Sequence, residues 1–197
     1  PPDGTAVLNA DDPRVAAMAG TTAARTVTFG QAADSTVRFS IVGVNDEGRC
    51  TVDFTTGGTT SRTELTVPGV HMASNACAAV AVGIVCGIPL GTAVNALADV
   101  EMAGQRVQWR TSASGLRILD DSYNANPSSM SAALETLRAS SAANHVAVLG
   151  AMAEITEPEA SHRRVWELAC ELGIDVIALE TDLYGPAATS VEDAVAR

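Results

Sequence analysis

The sequence predicts an α/β protein in two units, an antiparallel meander with helices followed by a Rossmann-like, mostly parallel α/β unit. Three observations carry this. Hydrophobic residues make up 47% of the chain and aromatic residues only 4%, so the core is expected to be built from Ala, Val, Leu and Ile rather than from rings. Between residues 37 and 67 three β-rich runs are separated by two hairpin signals. Beyond residue 104 the order changes to strand, helix, strand, helix, strand, an alternation that implies parallel strands with right-handed crossovers.

Element by element, Thr5-Ala6-Val7-Leu8 reads as a strand. It runs into Asn9-Ala10-Asp11-Asp12, where Asp11 or Asp12 caps a short helix that Pro13 starts. Thr26–Phe29 is a second short strand, closed by Gly30. Strands Val37–Val44, Cys50–Thr55 and Thr60–Val67 follow, joined by Asn45-Asp46-Glu47-Gly48 and Thr56-Gly57-Gly58-Thr59. From His71 to Cys86 the chain is small and apolar nearly all round, the pattern of a buried helix. Pro89 opens another helix, with Leu90, Val94 and Leu97 at i, i+4 and i+7. The pattern lapses at Met102–Gln105, and Gly104 reads as a linker. In the second unit, strand Leu116–Asp120 leads to helix Ser128–Ala139, with Met130, Ala133, Leu134 and Leu137 inward. Strand His145–Leu149 leads to helix Glu159–Leu172, with Val165, Leu168, Ala169 and Leu172 inward, and strand Ile174–Leu179 follows. Ser190–Asp193 looks like a further helix start with an acidic residue at the capping-box position. The expected division is 1–103 and 104–197.

Charge and composition remove several classes. A net charge of −11 argues against a nucleic-acid partner, which clustered cations would serve. No apolar run reaches the roughly 18 residues that span a bilayer, and no signal-peptide pattern is present. Cys50, Cys77, Cys86 and Cys170 form no CxxC pair, so buried free thiols in a reducing compartment are expected rather than disulfides or a metal site. All 12 cationic residues are arginines. A phosphate-binding loop of the Walker type ends in Lys-Ser/Thr, and this sequence has none.

The most informative run is Ile118-Leu119-Asp120-Asp121-Ser122-Tyr123-Asn124-Ala125-Asn126-Pro127-Ser128-Ser129-Met130. An apolar strand ends in two carboxylates, and an amide-rich loop then opens a helix. The carboxyl end of a strand is the usual ligand position in an α/β sheet. The run resembles the DDSYNANP signature of the Mur ligases. Four shorter elements are similar to the same family: Leu8-Asn9-Ala10-Asp11-Asp12, Gly69-Val70-His71-Met72-Ala73-Ser74-Asn75-Ala76, Gly104-Gln105-Arg106, and Gly150-Ala151-Met152-Ala153-Glu154 with His162. Met72 stands where the family usually has Asn, and Ile155-Thr156 where it usually has Leu-Gly.

The resemblance implies a partial central ATP-binding domain over 1–103 and a truncated acceptor-binding C-terminal domain over 104–197. It implies ATP-dependent amide-bond formation, in which a tripeptide carboxylate is phosphorylated and the amine of D-alanyl-D-alanine attacks the acyl phosphate. Implied partners are ATP with Mg2+, UDP-N-acetylmuramoyl-tripeptide and D-alanyl-D-alanine, in a monomeric cytoplasmic enzyme with neither nucleic acid nor membrane as partner. A related ligase with another acceptor, folylpolyglutamate-type included, and a non-catalytic nucleotide-binding module stay open. The missing phosphate loop makes a fragment, inactive by itself, the expectation.

Residue by residue, the resemblance puts His71 and Asn75 against adenine, where an amide donates and accepts at once; a helix-start cap and a loop contact are the plain alternatives. It puts Asp121 on the ribose hydroxyls and Arg106 on the γ-phosphate, as the one catalytic residue. A guanidinium fork suits that anion, although a solvated surface arginine has the same sequence. Tyr123, Asn124 and Asn126 fall where the family loop flanks nucleotide and acceptor, and an Asx-type helix cap is compatible with them. Asp120 is expected to end the strand and orient the loop. His162 is given no catalytic part, and no metal ligand is assigned.

Overall fold

A computed structural model describes residues 3–101, 104–185 and the backbone of 187–188. The helix start expected at Ser190–Asp193 lies outside these residues. The chain divides into two compact units, residues 1–45 with 49–101 and residues 46–48 with 102–197.

The first unit is a five-stranded sheet in the order β1-β2-β3-β4-β5. Strands β1 (Thr5–Asn9) and β2 (Arg25–Gly30) run parallel from Thr5↔Arg25 to Asn9↔Phe29. The connection between them holds α1 (Pro13–Ala17) and a 3-10 turn, Met18–Thr21. Asp12 rather than Asp11 caps α1, its Oδ1 accepting from the Arg14 N–H at 2.8 Å. Strand β3 (Val37–Val44) pairs parallel with the last two residues of β2. The short loop between them is closed by Thr28 and Thr36, which exchange main-chain and hydroxyl bonds of 3.0–3.2 Å. The antiparallel meander then continues through β4 (Arg49–Thr56) and β5 (Thr59–Pro68). Its second turn is the two-residue Gly57-Gly58, with φ of 56° and 77°. Two consecutive positive φ values match the twist of the flanking strands, and only glycine takes both without steric cost.

Helix α2 (His71–Val85) packs on this sheet, followed by α3 (Leu90–Ala96) and a 3-10 turn, Leu97–Asp99. Phe54, Val37, Val52 and Cys50 of the sheet and Cys77 of α2 are fully buried between them. Burial of α2 is one-sided, contrary to its sequence pattern: Ala73, Ala76, Cys77, Val80 and Ala81 are buried, whereas Val82 is 49% exposed. The sheet covers only one stripe of a helix, whatever its other faces are made of. Cys50 and Cys77 are buried free thiols, but Cys86 and Cys170 are free and exposed, so the expectation of burial holds for only two of the four. Burial pushes the Cys77 thiol up to about 12.

In the second unit, β6 (Gln108–Thr111) and β7 (Arg117–Asp120) form an antiparallel ribbon. Strand β6 has no counterpart in the sequence reading. Strand β7 pairs with it rather than with the parallel sheet, which consists of β8 (Val146–Leu149), β9 (Asp175–Leu179) and β10 (Ala187–Ala188) in the order β10-β9-β8. Helix α5 (Pro158–Glu171) supplies the crossover from β8 to β9, whereas α4 (Pro127–Arg138) joins the ribbon to β8. Most of their expected inner residues lie in the core, but Ala133 is only half-buried and Thr136, not expected inward, is buried. Met130 and Leu134 from α4 meet Val165 and Ala169 from α5 over Ala147 and Ala178, and Leu137, Leu168 and Leu172 pack around them.

Candidate functional site

The ribbon β6–β7 places the carboxyl end of β7 beside the segment that precedes β6. Asp120, the last residue of β7, turns its carboxylate back into the loop. Its Oδ1 accepts from the Ser122 hydroxyl at 2.7 Å and from the Ser122 N–H at 3.3 Å, and its Oδ2 lies 3.0 Å from Arg110 Nε. The Ser122 hydroxyl, helped by its N–H and by the Arg110 charge, holds the Asp120 carboxyl below its ordinary range against the opposing effect of burial. Asp120 therefore ends the strand and holds the loop.

Asp121 turns the other way. Its Oδ1 accepts from the Val107 N–H at 3.1 Å, and the Tyr123 N–H donates to the Gln105 carbonyl at 3.0 Å. These two bonds stitch the acidic loop to residues 105 and 107, on either side of Arg106. Both flanking residues are left-handed, Gln105 at φ 65° and Val107 at φ 45°. A β-branched residue rarely adopts that region, and surrounding bonds must over-determine it. The Arg106 guanidinium lies over the Tyr123 ring, with Cζ 4.0 Å from its centroid. Arg106, Asp121 and Tyr123 are thus brought together, although 14 or more residues separate Arg106 from the other two in sequence.

The rest of the loop serves the helix. Asn126 caps α4: its side chain accepts from the Ser129 N–H at 2.9 Å, and the Ser129 hydroxyl takes the Asn126 N–H at 3.2 Å. This reciprocal capping box uses the Asn126 oxygen but leaves its NH2 group out of the cap. Asn124 Oδ1 accepts from the Ala125 N–H at 2.9 Å, and both asparagines are exposed.

In the first unit, His71 and Asn75 occupy the opening turns of α2 and are exposed there. The N-cap is Val70, with no side-chain cap bond. Asn75 Nδ2 donates to Met72 Sδ at 3.6 Å, so the residue that replaces the family asparagine holds the side chain of the other amide. His162 is fully buried. Its Nε2 accepts from the Met152 N–H at 2.9 Å, which leaves Nδ1 as the donor to the Pro158 carbonyl at 2.6 Å. The ring is therefore neutral and carries its proton on Nδ1. Tyr184 lies 4.9 Å from it, centroid to centroid, and its hydroxyl donates to the Gly150 carbonyl at 3.3 Å. Desolvation raises that phenol to about 12. This cluster pins the 150–154 loop from inside the unit. Among the described residues no three His, Cys, Asp or Glu side chains come together as a metal site, and no helix is long and apolar enough to cross a membrane.

Two segments of the chain match domains of one family in series. Residues 1–83 match the Mur ligase middle domain, and residues 105–196 match the Mur ligase glutamate ligase domain. The chain belongs to the Mur ligase family. Within it, a UDP-N-acetylmuramoyl-tripeptide--D-alanyl-D-alanine ligase of Mycobacterium bovis is 36% identical over 181 residues, 88% of this chain and 36% of that protein. A UDP-N-acetylmuramate--L-alanine ligase of an Arthrobacter species is 36% identical over 153 residues, 76% of this chain and 32% of that protein. The crystal structure of MurF from Acinetobacter baumannii superposes with a TM-score of 0.82 at 25% identity, covering 99% of this chain and 41% of the other. The chain thus spans 32–41% of the length of these Mur ligases.

Proposed function

We propose that this chain forms the adenine-, ribose- and γ-phosphate-facing part of an ATP-dependent ligase that joins D-alanyl-D-alanine to UDP-N-acetylmuramoyl-tripeptide. The observation that carries this reading is the 36% identity to the mycobacterial ligase over 88% of the chain. In this reading residues 1–103 belong to the central ATP-binding domain and 104–197 to the acceptor-binding domain. His71 and Asn75 meet adenine. Asp121 accepts from the ribose hydroxyls, and Arg106 neutralises charge on the transferring γ-phosphate. Tyr123, Asn124 and the NH2 group of Asn126 flank the nucleotide and the incoming amine. The enzyme so formed is a monomer of the cytoplasm.

Mg2+ supplies charge neutralisation in reactions of this class. Among the described residues no carboxylates converge into a site for it. By itself the chain, which has no lysine to end a phosphate-binding loop, is expected to release no phosphate from ATP with both other substrates present.

The identity to the Arthrobacter L-alanine ligase favours a second reading, a sister ligase with a single amino acid as acceptor. Exchanging this chain for the corresponding segment of the mycobacterial ligase separates the two. The chimera is expected to ligate D-alanyl-D-alanine and not L-alanine, and preference for L-alanine would overturn the first reading. In the same chimera Asp121→Asn keeps an acceptor for Val107 but removes the charge from the ribose bonds. It should weaken ATP by about 1.5–3 kcal/mol, and Arg106→Ala should lower kcat more than ATP affinity.

A further inference from the structure

Tyr123 poses a question that packing does not answer. Its ring is 60% exposed and belongs to neither hydrophobic core, yet it meets Arg106 at 4.0 Å. A guanidinium offers two kinds of surface. Its faces attract the negative face of an aromatic ring, and its N–H donors point outward in the plane. Stacking on one face therefore consumes none of the donors that a phosphate would take. It also restricts the rotation of a long side chain whose freedom must otherwise be lost when an anion binds.

The backbone supports the same arrangement. The bonds Tyr123 N–H to Gln105 O and Val107 N–H to Asp121 Oδ1 fix the chain on both sides of Arg106, where Gln105 and Val107 are both left-handed. We propose that Tyr123 is a positioning residue for Arg106: it holds the guanidinium by its face so that the in-plane fork is presented, already ordered, to an oligophosphate. The proposal rests on the phosphate-facing reading of Arg106 given above. The ring does its work through the arginine and touches no reacting atom.

The test uses the 197-residue chain, side-chain NMR of Arg106 and inorganic tripolyphosphate as the probe. Ring currents should shift the Arg106 Nε–H and Cδ–H resonances upfield in the wild-type chain and in Tyr123→Phe. In Tyr123→Leu and Tyr123→Ala these resonances should return to the positions of a solvated arginine, while amide shifts outside residues 104–126 stay in place. Tripolyphosphate should move the Arg106 resonances saturably in the wild-type chain and in Tyr123→Phe. Its dissociation constant should rise about two- to fivefold in the Leu and Ala variants, the scale of an exposed cation–π contact. Arg106→Ala should remove more of the affinity than Tyr123→Leu does, with no further loss on adding Tyr123→Leu. A wild-type response that Tyr123→Leu leaves unchanged overturns the positioning role and spares the phosphate reading. An Arg106 that ignores tripolyphosphate in the wild-type chain overturns both.

Discussion

The carboxylate of Asp11 fills the space that a side chain on Gly30 would need. A Cβ built on Gly30 comes within 2.6 Å of Asp11 Oδ1 and 2.8 Å of its Cγ. The carboxylate is held there by the Gln31 N–H, which meets both oxygens at 2.9 and 2.8 Å, and by the Ala32 N–H at 3.2 Å. It joins the carboxyl ends of β1 and β2 and so fixes the edge of the first sheet. Gly30→Ala is expected to displace it and to cost about 1–3 kcal/mol, the scale of losing charge-assisted bonds. Once Asp11→Ala has removed the obstacle, Gly30→Ala should cost less. Urea unfolding of the two single variants and the double variant measures the coupling, and strictly additive losses would place the clash elsewhere.

His162 gives a second expectation. His162→Phe fills similar space but offers no acceptor to Met152, leaving a buried N–H unpaired. The expected loss is about 1–3 kcal/mol, with faster hydrogen exchange at the Met152 amide than at amides of α5. Unchanged protection at Met152 would mean that the 150–154 loop is held by other contacts.

Asp120 predicts a pH effect of defined sign. Its folded pKa is lowered, so its contribution is fully present above the ordinary carboxylate pKa and is lost as pH falls through the folded value. Asp120→Asn should therefore narrow the difference in Tm between pH 7 and pH 3. The effect should be small, because the partner Arg110 side chain is 54% exposed and its charge is screened. Ser122→Ala should raise the Asp120 pKa more than Arg110→Gln does, since the Ser122 hydroxyl is the larger cause. Carboxyl NMR titration of the three proteins decides the order.

Asn126 separates capping from ligand contact. Asn126→Ala should cost about 0.5–2 kcal/mol through loss of the α4 cap. Asn126→Asp keeps the accepting oxygen and should recover most of it in thermal unfolding, while removing the NH2 group assigned above to the ligand side. If Asn126→Asp were as unstable as Asn126→Ala, the capping geometry would be refuted.

Much of the architecture is local and therefore legible in sequence. The Gly57-Gly58 turn, most of the inner faces of α4 and α5, and the Asp12 and Asn126 caps depend on residues within a few positions of one another, and each forms where those residues place it. The run from Ile118 to Met130 likewise carries the family by itself, because its spacing is dense with side chains that have few other reasons to stand together. Three features were decided by tertiary structure. Strand β6 is short, half-exposed and holds only Trp109 as a large apolar residue, so no periodicity announces it until β7 pairs with it. The one-sided burial of α2 depends on where the sheet lies, which an all-round apolar helix cannot encode. Above all, the left-handed Gln105 and Val107 and the stack of Arg106 on Tyr123 arise from bonds to a loop more than a dozen residues away. Neither residue favours that conformation alone; the long-range bonds to Tyr123 and Asp121 outweigh the local preference, and only the folded chain brings them into reach.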